Sequence, residues 1–338
     1  MTIAGDRKVQ LIQGAGGPAM RGLIESIFLR GVQHPEALAL ADGAAIPWGD
    51  RFLVVTTDSH TVKPLIFPGG DIGRLSVCGV VNDLAMMGAT EVLALTSAVI
   101  IEEGFDLDLL DQIAASLHQT SVEANAPVLA GDTKILQRGE VDGLVLSTTG
   151  LGVTQRVVRD SGLRPGDAIV ATGTIGDHGL AVLSARHQLG LIGDLRSDVA
   201  PLNGLVRAAL AAVGDALHAM KDPTRGGVVS ALSEMAHKAR VQVRLHEAAI
   251  PVSAAAQAAS ELLGIDPLVV ANEGKALIGV DPSLLDALLS ALHSHPLGRQ
   301  AACIGHVESG EAGTLLLDTG FGTRRLLERD ANPLPRIC

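Results

Sequence analysis

The chain of 338 residues has no tyrosine, one tryptophan, five phenylalanines and three cysteines. Each shortage excludes something. Without aromatic faces there is no platform on which the bases of a single-stranded nucleic acid could stack. A formal charge of −11 removes the basic surface that a phosphate-backbone binder needs, so no nucleic-acid partner is expected. Cys78, Cys303 and Cys338 form an odd, sparse set without a CxxC pair. That argues against a disulfide framework or a zinc cluster and fits a reducing compartment. The eleven histidines show no HxxxH or HxH spacing, so none is assigned to a metal. An uncharged apolar run over 92–101 falls well short of the ~20 residues that span a bilayer. The first residues lack a signal-peptide pattern. A cytoplasmic protein with no membrane partner is expected. No low-complexity stretch or fixed-period repeat is present.

What the chain does have is aliphatic material: hydrophobic residues make up 47% of it, and its length suits two domains. Apolar runs predict strands over 52–57, 91–101, 127–130, 143–153, 168–172, 241–245, 268–271, 277–280, 301–306 and 314–317. Helical spacing predicts helices over 21–30, 71–87, 106–124, 180–188, 202–213, 228–240 and 254–263. Residues 154–167 are polar and carry Pro165-Gly166, which places a boundary there. The expected units are 1–153, 154–324 and a tail, 325–338.

Several motifs carry chemistry. Gln13-Gly14-Ala15-Gly16-Gly17-Pro18 is a glycine-rich turn into a helix, open to an anion or simply a helix start; no Gly-Lys-Ser/Thr follows it. The strand over 52–57 runs into Asp58, as a site carboxylate or as a helix cap. Asn82 and Asp83 interrupt a segment otherwise uncharged from 77 to 90, and Cys78 within it reads as a small core residue. The short strand over 127–130 delivers Asp132, with Lys134 two residues on. Asp42, Asp58, Asp83 and Asp132 thus lie at element ends or in charge-poor surroundings. Four such acids in one domain suggest a shared oxygen-rich site for Mg²⁺. In the second half, Asp222-Pro223-Thr224-Arg225-Gly226-Gly227 opens a helix, with Thr224 as its cap, either as a phosphate cradle or as a well-capped helix start. The sequence closes on Pro333-Leu334-Pro335-Arg336-Ile337-Cys338. Two prolines predict a stiff, extended arm bearing a thiol with no core to sit in.

Taken together, Asp42-Gly43, Thr57-Asp58, the run from Asn82 to Gly88, Gly131-Asp132 and the Asp222–Gly227 motif resemble the superfamily of aminoimidazole ribonucleotide and selenophosphate synthetases. With the closing Pro-Arg-Ile-Cys, the chain resembles that superfamily's carbamoyl dehydratases of [NiFe] hydrogenase maturation. The resemblance covers essentially the whole chain. It implies a mixed α/β (α+β) two-domain fold, whose N-terminal domains form a homodimer with ATP bound near their interface.

The resemblance also implies a reaction. The carbamoyltransferase HypF loads Cys338 with a carbamoyl group. ATP with Mg²⁺ then phosphorylates the amide oxygen, loss of phosphate leaves a thiocyanate, and the cyano group passes to iron on a HypC–HypD complex. By the same resemblance Cys338, Glu273 and Lys134 are catalytic, Glu273 suited to work as base and Lys134 to stabilise developing negative charge or assist the proton transfer. Asp42, Asp83 and Asp222 hold the metal, with Asp58 nearby. Gly14, Gly16, Gly17, Asp58, Asp132, Thr224, Arg225, Gly226 and Gly227 meet the nucleotide. Arg336 is the basic neighbour of the thiol. Two alternatives stand beside this reading. One is another synthetase of the superfamily, but no cysteine precedes Cys78 to serve as a selenophosphate enzyme's reactive residue. The other is a non-catalytic scaffold presenting the arm.

Overall fold

The computed structural model describes residues 8–14, 16–189, 194–328 and 336–338. A short helix, α1 (Gly17–Leu23), runs on as a π-helical turn over Ile24–Phe28, and a single turn, α2 (Pro35–Leu38), follows. Strands β1 (Ala44–Trp48) and β2 (Arg51–His60) form a hairpin. A small ribbon, β3 (Ile66–Phe67) and β4 (Gly70–Asp71), leads into α3 (Ile72–Met86). Next come β5 (Glu91–Glu102), α4 (Leu107–Glu123), β6 (Val128–Leu136) and β7 (Leu144–Thr154). They complete a five-stranded sheet in the order β1-β2-β7-β5-β6. β5 and β6 pair in parallel because α4 crosses between them; the other pairs are antiparallel.

The remaining elements are β8 (Ala168–Ala171), α5 (Asp177–Arg186), α6 (Asn203–Val213), β9 (Leu217–Lys221), α7 (Gly227–Ala239), β10 (Gln242–His246), α8 (Ala254–Leu263), β11 (Leu277–Val280), α9 (Leu285–His293), β12 (Ala302–Glu308), β13 (Thr314–Asp318) and β14 (Thr323–Leu326). They build a seven-stranded sheet, β14-β13-β10-β12-β8-β11-β9. Val228, Leu232 and Met235 of α7 cover one set of its side chains, with Val243, Leu315 and Leu317. Leu205 of α6 and Leu288 and Leu292 of α9 pack with Val170, Ile278 and Val280 in another cluster.

The helix α3 holds the molecule together. Of its 15 residues, all but Arg74 and Asp83 are buried. A helix apolar all round belongs in an interior rather than on a surface. Asp71 caps it, accepting the Arg74 amide at 3.0 Å. Gly150 on β7 lets the helix approach the first sheet, since a Cβ there would lie 2.4 Å from Val80. From the other side Asn82 grips the second half of the chain. Its Nδ2 donates to the carbonyls of Ala200 (3.1 Å) and Glu273 (3.0 Å), and its Oδ1 accepts the Leu202 amide (2.8 Å). A buried amide so satisfied fixes orientation as well as stability.

Some elements differ from the sequence expectation. Residues 268–271 form no strand; Pro267–Val269 is a 3₁₀ turn begun by Asp266, whose carboxylate accepts the Leu268 amide. β2 and β6 continue through Asp58 and Asp132, which lie within strands instead of at their tips. Arg325 and Leu326 belong to β14. Asn332, Pro333, Leu334 and Pro335 lie outside the described residues, as does Ala15.

Candidate active site

Three elements and two loops bring the site together. Along β2, every second side chain points the same way. Thr56, Asp58 and His60 therefore face α3. The Thr56 hydroxyl donates to Asp83 Oδ2 at 2.9 Å. Asp42, just before β1, and Asp222, just after β9, complete the group. Asp42, Asp83 and Asp222 each offer a carboxylate oxygen, and these atoms all lie within 4.8 Å of one another. Among the described residues no other cluster of three or more potential metal ligands has this spacing.

Three acids this close, half-buried or buried, are harder to ionise than free carboxyl groups. Burial first, then the charges of Asp222 and Asp42, pushes Asp83 well above the usual carboxylate range. Burial and the neighbouring Asp42 raise Asp222 to about 7. Burial likewise raises Asp42, against the opposing pull of Lys221. Lys221 donates to Asp42 and sits 3.7 Å from Glu234, while Lys238 bridges Asp160 (2.6 Å) and Glu234 (2.8 Å) behind it. An oxygen-only donor set whose members resist ionising together unless a cation joins them fits a hard divalent ion such as Mg²⁺.

A cavity of about 740 Å³ opens over this group. Its walls include Gly16 and Gly17, Asp58, Thr224 and Arg225, Glu273 and Cys338. Gly16, at φ 82°, lies against Arg225: a Cβ there would stand 3.3 Å from the arginine's own Cβ. Gly226 and Gly227 both have positive φ at the start of α7 and are not in the cavity wall. The Gly227 amide donates to the Thr224 carbonyl at 2.9 Å, and a Cβ on Gly227 would meet the Val270 carbonyl at 2.6 Å. These glycines make a tight turn possible, and the cap position falls on Gly226 instead of the Thr224 side chain. Gly14 closes a 3₁₀ turn away from the cavity.

Glu273 sits in the loop before β11, 3% exposed. Its amide donates to Asp198 at 3.0 Å and its carbonyl accepts from Asn82. Its Oε1 is buried without a hydrogen-bond partner. Burial, with Asp222 and Asp58 adding to it, raises Glu273 well above the usual range. Asn272 anchors this loop through bonds to Pro223, Val270 and Gly176. No sequence motif marks Asn82, Asn272 or Asp198 as site residues; Asn82 alone leaves a signal, as a polar break in an apolar helix.

The last three residues are folded inward. Ile337 is 2% exposed and packs with Leu144 and Leu146 of β7 and Leu180 and Val182 of α5. Arg336, at φ 55°, turns the chain and pairs with Asp142; its Nε donates to the Thr61 carbonyl at 2.8 Å. Arg186 donates to the Arg336 carbonyl (2.7 Å), the Thr61 amide to the Cys338 carbonyl (3.3 Å), and His178 Nε2 meets the Ile337 carbonyl at 2.8 Å. The expectation that the last thiol has no core to sit in fails here, because Ile337 supplies the anchor. Arg336 is spent on Asp142, so the cation whose charge acts most on Cys338 is Arg225. Burial nonetheless pushes the Cys338 thiol up.

The structure does not bring every expected residue here. Asp132 and Lys134 lie on β6, an exposed edge of the first sheet, and do not line the cavity. Cys78, in the fully apolar part of α3, is fully buried, which raises its thiol pKa as well. No helix among the described residues is long and apolar enough to cross a membrane.

With this geometry in hand, comparisons place the chain. Residues 40–154 match the N-terminal domain of AIR synthase related proteins, and residues 164–318 match their C-terminal domain. The chain is thus a two-domain protein of the AIR synthase class. Within that class it is 45% identical over 334 residues to a carbamoyl dehydratase HypE of Rhizobium leguminosarum bv. viciae, covering 98% of this chain and 95% of that one. It is 40% identical over 339 residues to the HypE of Escherichia coli K12 (98% and 99% covered). A solved HypE–HypF complex superposes with a TM-score of 0.85 at 40% identity, covering 91% of this chain and 99% of that chain. A HypE in complex with ATP gives 0.82 at 39% identity, with 98% and 100% covered. The chain belongs to the HypE family of hydrogenase maturation proteins, the carbamoyl dehydratases.

Proposed function

We propose that the chain carries out ATP-dependent dehydration of an S-carboxamide on Cys338, giving a thiocyanate. The observation that carries this reading is that Cys338 lines the same cavity as Arg225, Glu273 and the three clustered carboxylates. A solved relative is described as a complex with ATP and another as a complex with HypF. On that footing ATP is the co-substrate, HypF the source of the carbamoyl group, and a HypC–HypD complex the acceptor of the cyano group.

The carbamoyl oxygen attacks the γ-phosphorus, an O–P bond forms, and the bond to ADP breaks. Oxygen, a poor leaving group, has become phosphate, a good one. A base removes a nitrogen proton, a second proton is released, the C–O bond breaks, and carbon and nitrogen are left triply bonded. Glu273 is the base: it is buried beside the thiol's cavity, with one oxygen unpartnered and an affinity for protons raised by that burial. Arg225 neutralises charge between Cys338, Asp58 and Glu273. Asp42, Asp83 and Asp222 would hold Mg²⁺, which neutralises phosphate charge in phosphoryl transfer. Gly16 and Gly17 border the nucleotide, and Gly14, Thr224, Gly226 and Gly227 shape the turns around it.

Asp132 and Lys134 enter through a second copy of the chain. The β6 edge is unpaired on one side and exposes Leu129 (69%) and Ile135 (64%) next to them. Such an edge invites another strand or sheet. A homodimer closing over it would bring Lys134 to a nucleotide at the interface, where its ammonium stabilises developing negative charge. The chain works in the cytoplasm.

The test uses the purified full chain, HypF, carbamoyl phosphate and ATP, followed by mass analysis of the peptide ending in Cys338. A carbamoyl adduct that loses one water only when ATP is supplied to the loaded protein supports the dehydratase. An adduct that forms but never loses water sinks it in favour of a scaffold.

A further inference from the structure

His60 closes β2 with a ring that is 1% exposed, and neither of its ring nitrogens makes a hydrogen bond. An imidazole sealed from water with both nitrogens unpartnered is costly, and an apolar side chain of similar size would avoid that cost. Its surroundings show why it is retained. Nε2 lies 3.3 Å from Asp58 Oδ2, inside ion-pair distance though outside hydrogen-bond geometry. The other oxygen of that carboxylate, Oδ1, is already held by the Ser59 amide at 2.8 Å. The helix α3 leaves space for the ring at Gly79, where a Cβ would stand 2.7 Å from Nε2. The next residue, Thr61, donates its amide to the Cys338 carbonyl. His60 is thus wedged between the Asp58 carboxylate, which faces the cavity, and the strand end that receives the last residue.

We propose that His60 is a positioning residue: its Nε2–H fixes Asp58 from behind, so that the carboxylate is aimed at the group carried on Cys338. Burial keeps the ring neutral, against the pull of Asp58, so one nitrogen carries a hydrogen and the other does not. Asp58 is the acid within reach, which selects the Nε2–H form. A carbamoyl group on the thiol, donating its N–H to Asp58, brings that carboxylate into line with Nε2–H. The inference rests on the dehydratase reading given above and adds a residue that reading does not use.

The test compares H60M, H60Q and H60N in the full chain, each loaded by the carbamoyltransferase and then given ATP. Methionine removes the stranded polar atoms; glutamine keeps an N–H where Nε2 stood; asparagine keeps one only near Nδ1. The expected pattern is that H60M melts at or above the wild-type temperature, loads Cys338 and binds ATP normally, yet dehydrates at least about tenfold more slowly, the lower end of what losing a supporting partner costs. H60Q recovers most of the rate and H60N does not. An H60M protein that dehydrates at the wild-type rate overturns the proposal. If H60M fails to fold, equal rates for H60Q and H60N overturn it instead. A wild-type protein that loads but does not dehydrate would sink the dehydratase reading itself, which separates the two failures.

Discussion

Asp42, Asp83 and Asp222 illustrate how a residue's surroundings set its chemistry. Each alone is an ordinary acid; held with their oxygens within 4.8 Å, they resist ionising together. The sign of the stability effect follows. A carboxyl group whose pKa is raised in the folded state binds more protons there than in the unfolded chain, so stability falls as pH rises through that window. For Asp222 the window runs from its ordinary value of 3.8 up to about 7. The metal-free protein should therefore melt higher at about pH 5 than at about pH 8. E273Q, which removes another raised carboxyl group, should shrink that difference; a melting curve independent of pH would contradict this. D83N should weaken Mg·ATP binding by more than the roughly 10–100-fold that loss of a mere supporting partner costs. Calorimetry checks this, while loading of Cys338 stays normal because the thiol is held by other contacts.

At the scale of elements, α3 and the closing segment matter most. Leu84 is fully buried in α3 against the first sheet, so L84A should cost about 2–5 kcal/mol, measurable by urea unfolding. Ile337 anchors the tail, so I337A should expose Cys338 and raise its rate of reaction with a thiol reagent several-fold. An unchanged rate would show that Arg336 and His178 hold the segment without it. Much of this level was legible in the sequence. The long, almost uncharged stretch of α3 and the apolar run that opens β2 declare themselves in the sequence. The 3₁₀ turn at Pro267–Val269 did not, because a short apolar run reads as a strand until Asp266 is seen to cap it. Edge strand β14 carries too little apolar signal to be found, and hairpin strand β1, though apolar, is short and contains Pro47, which argues against a strand. The seat for Ile337 was invisible for another reason: its walls come from residues about 150–200 positions away, which no local pattern can report.

Over the whole molecule, the site exists only because two sheets share one helix. Asp83 and Asn82 are neighbours on α3: one joins the carboxylate cluster, the other ties the loop bearing Glu273 to the helix. The family resemblance grouped Asp42, Asp83 and Asp222, which the fold brings together; the residues alone grouped Asp132 with them and not Asp222, because the three converge from separate stretches of the chain that no local pattern links. The exposed β6 edge leaves Lys134 outside this single-chain cavity.

In the proposed reaction the bond order of a group on Cys338 changes at the expense of ATP. Infrared spectroscopy of the intact protein, loaded with ¹³C-labelled carbamoyl and given one equivalent of ATP, tests it directly. A nitrile band should appear, shift with the label, match the ADP formed one for one, and be absent from C338A. ATP consumed by the loaded protein with no nitrile band would contradict it.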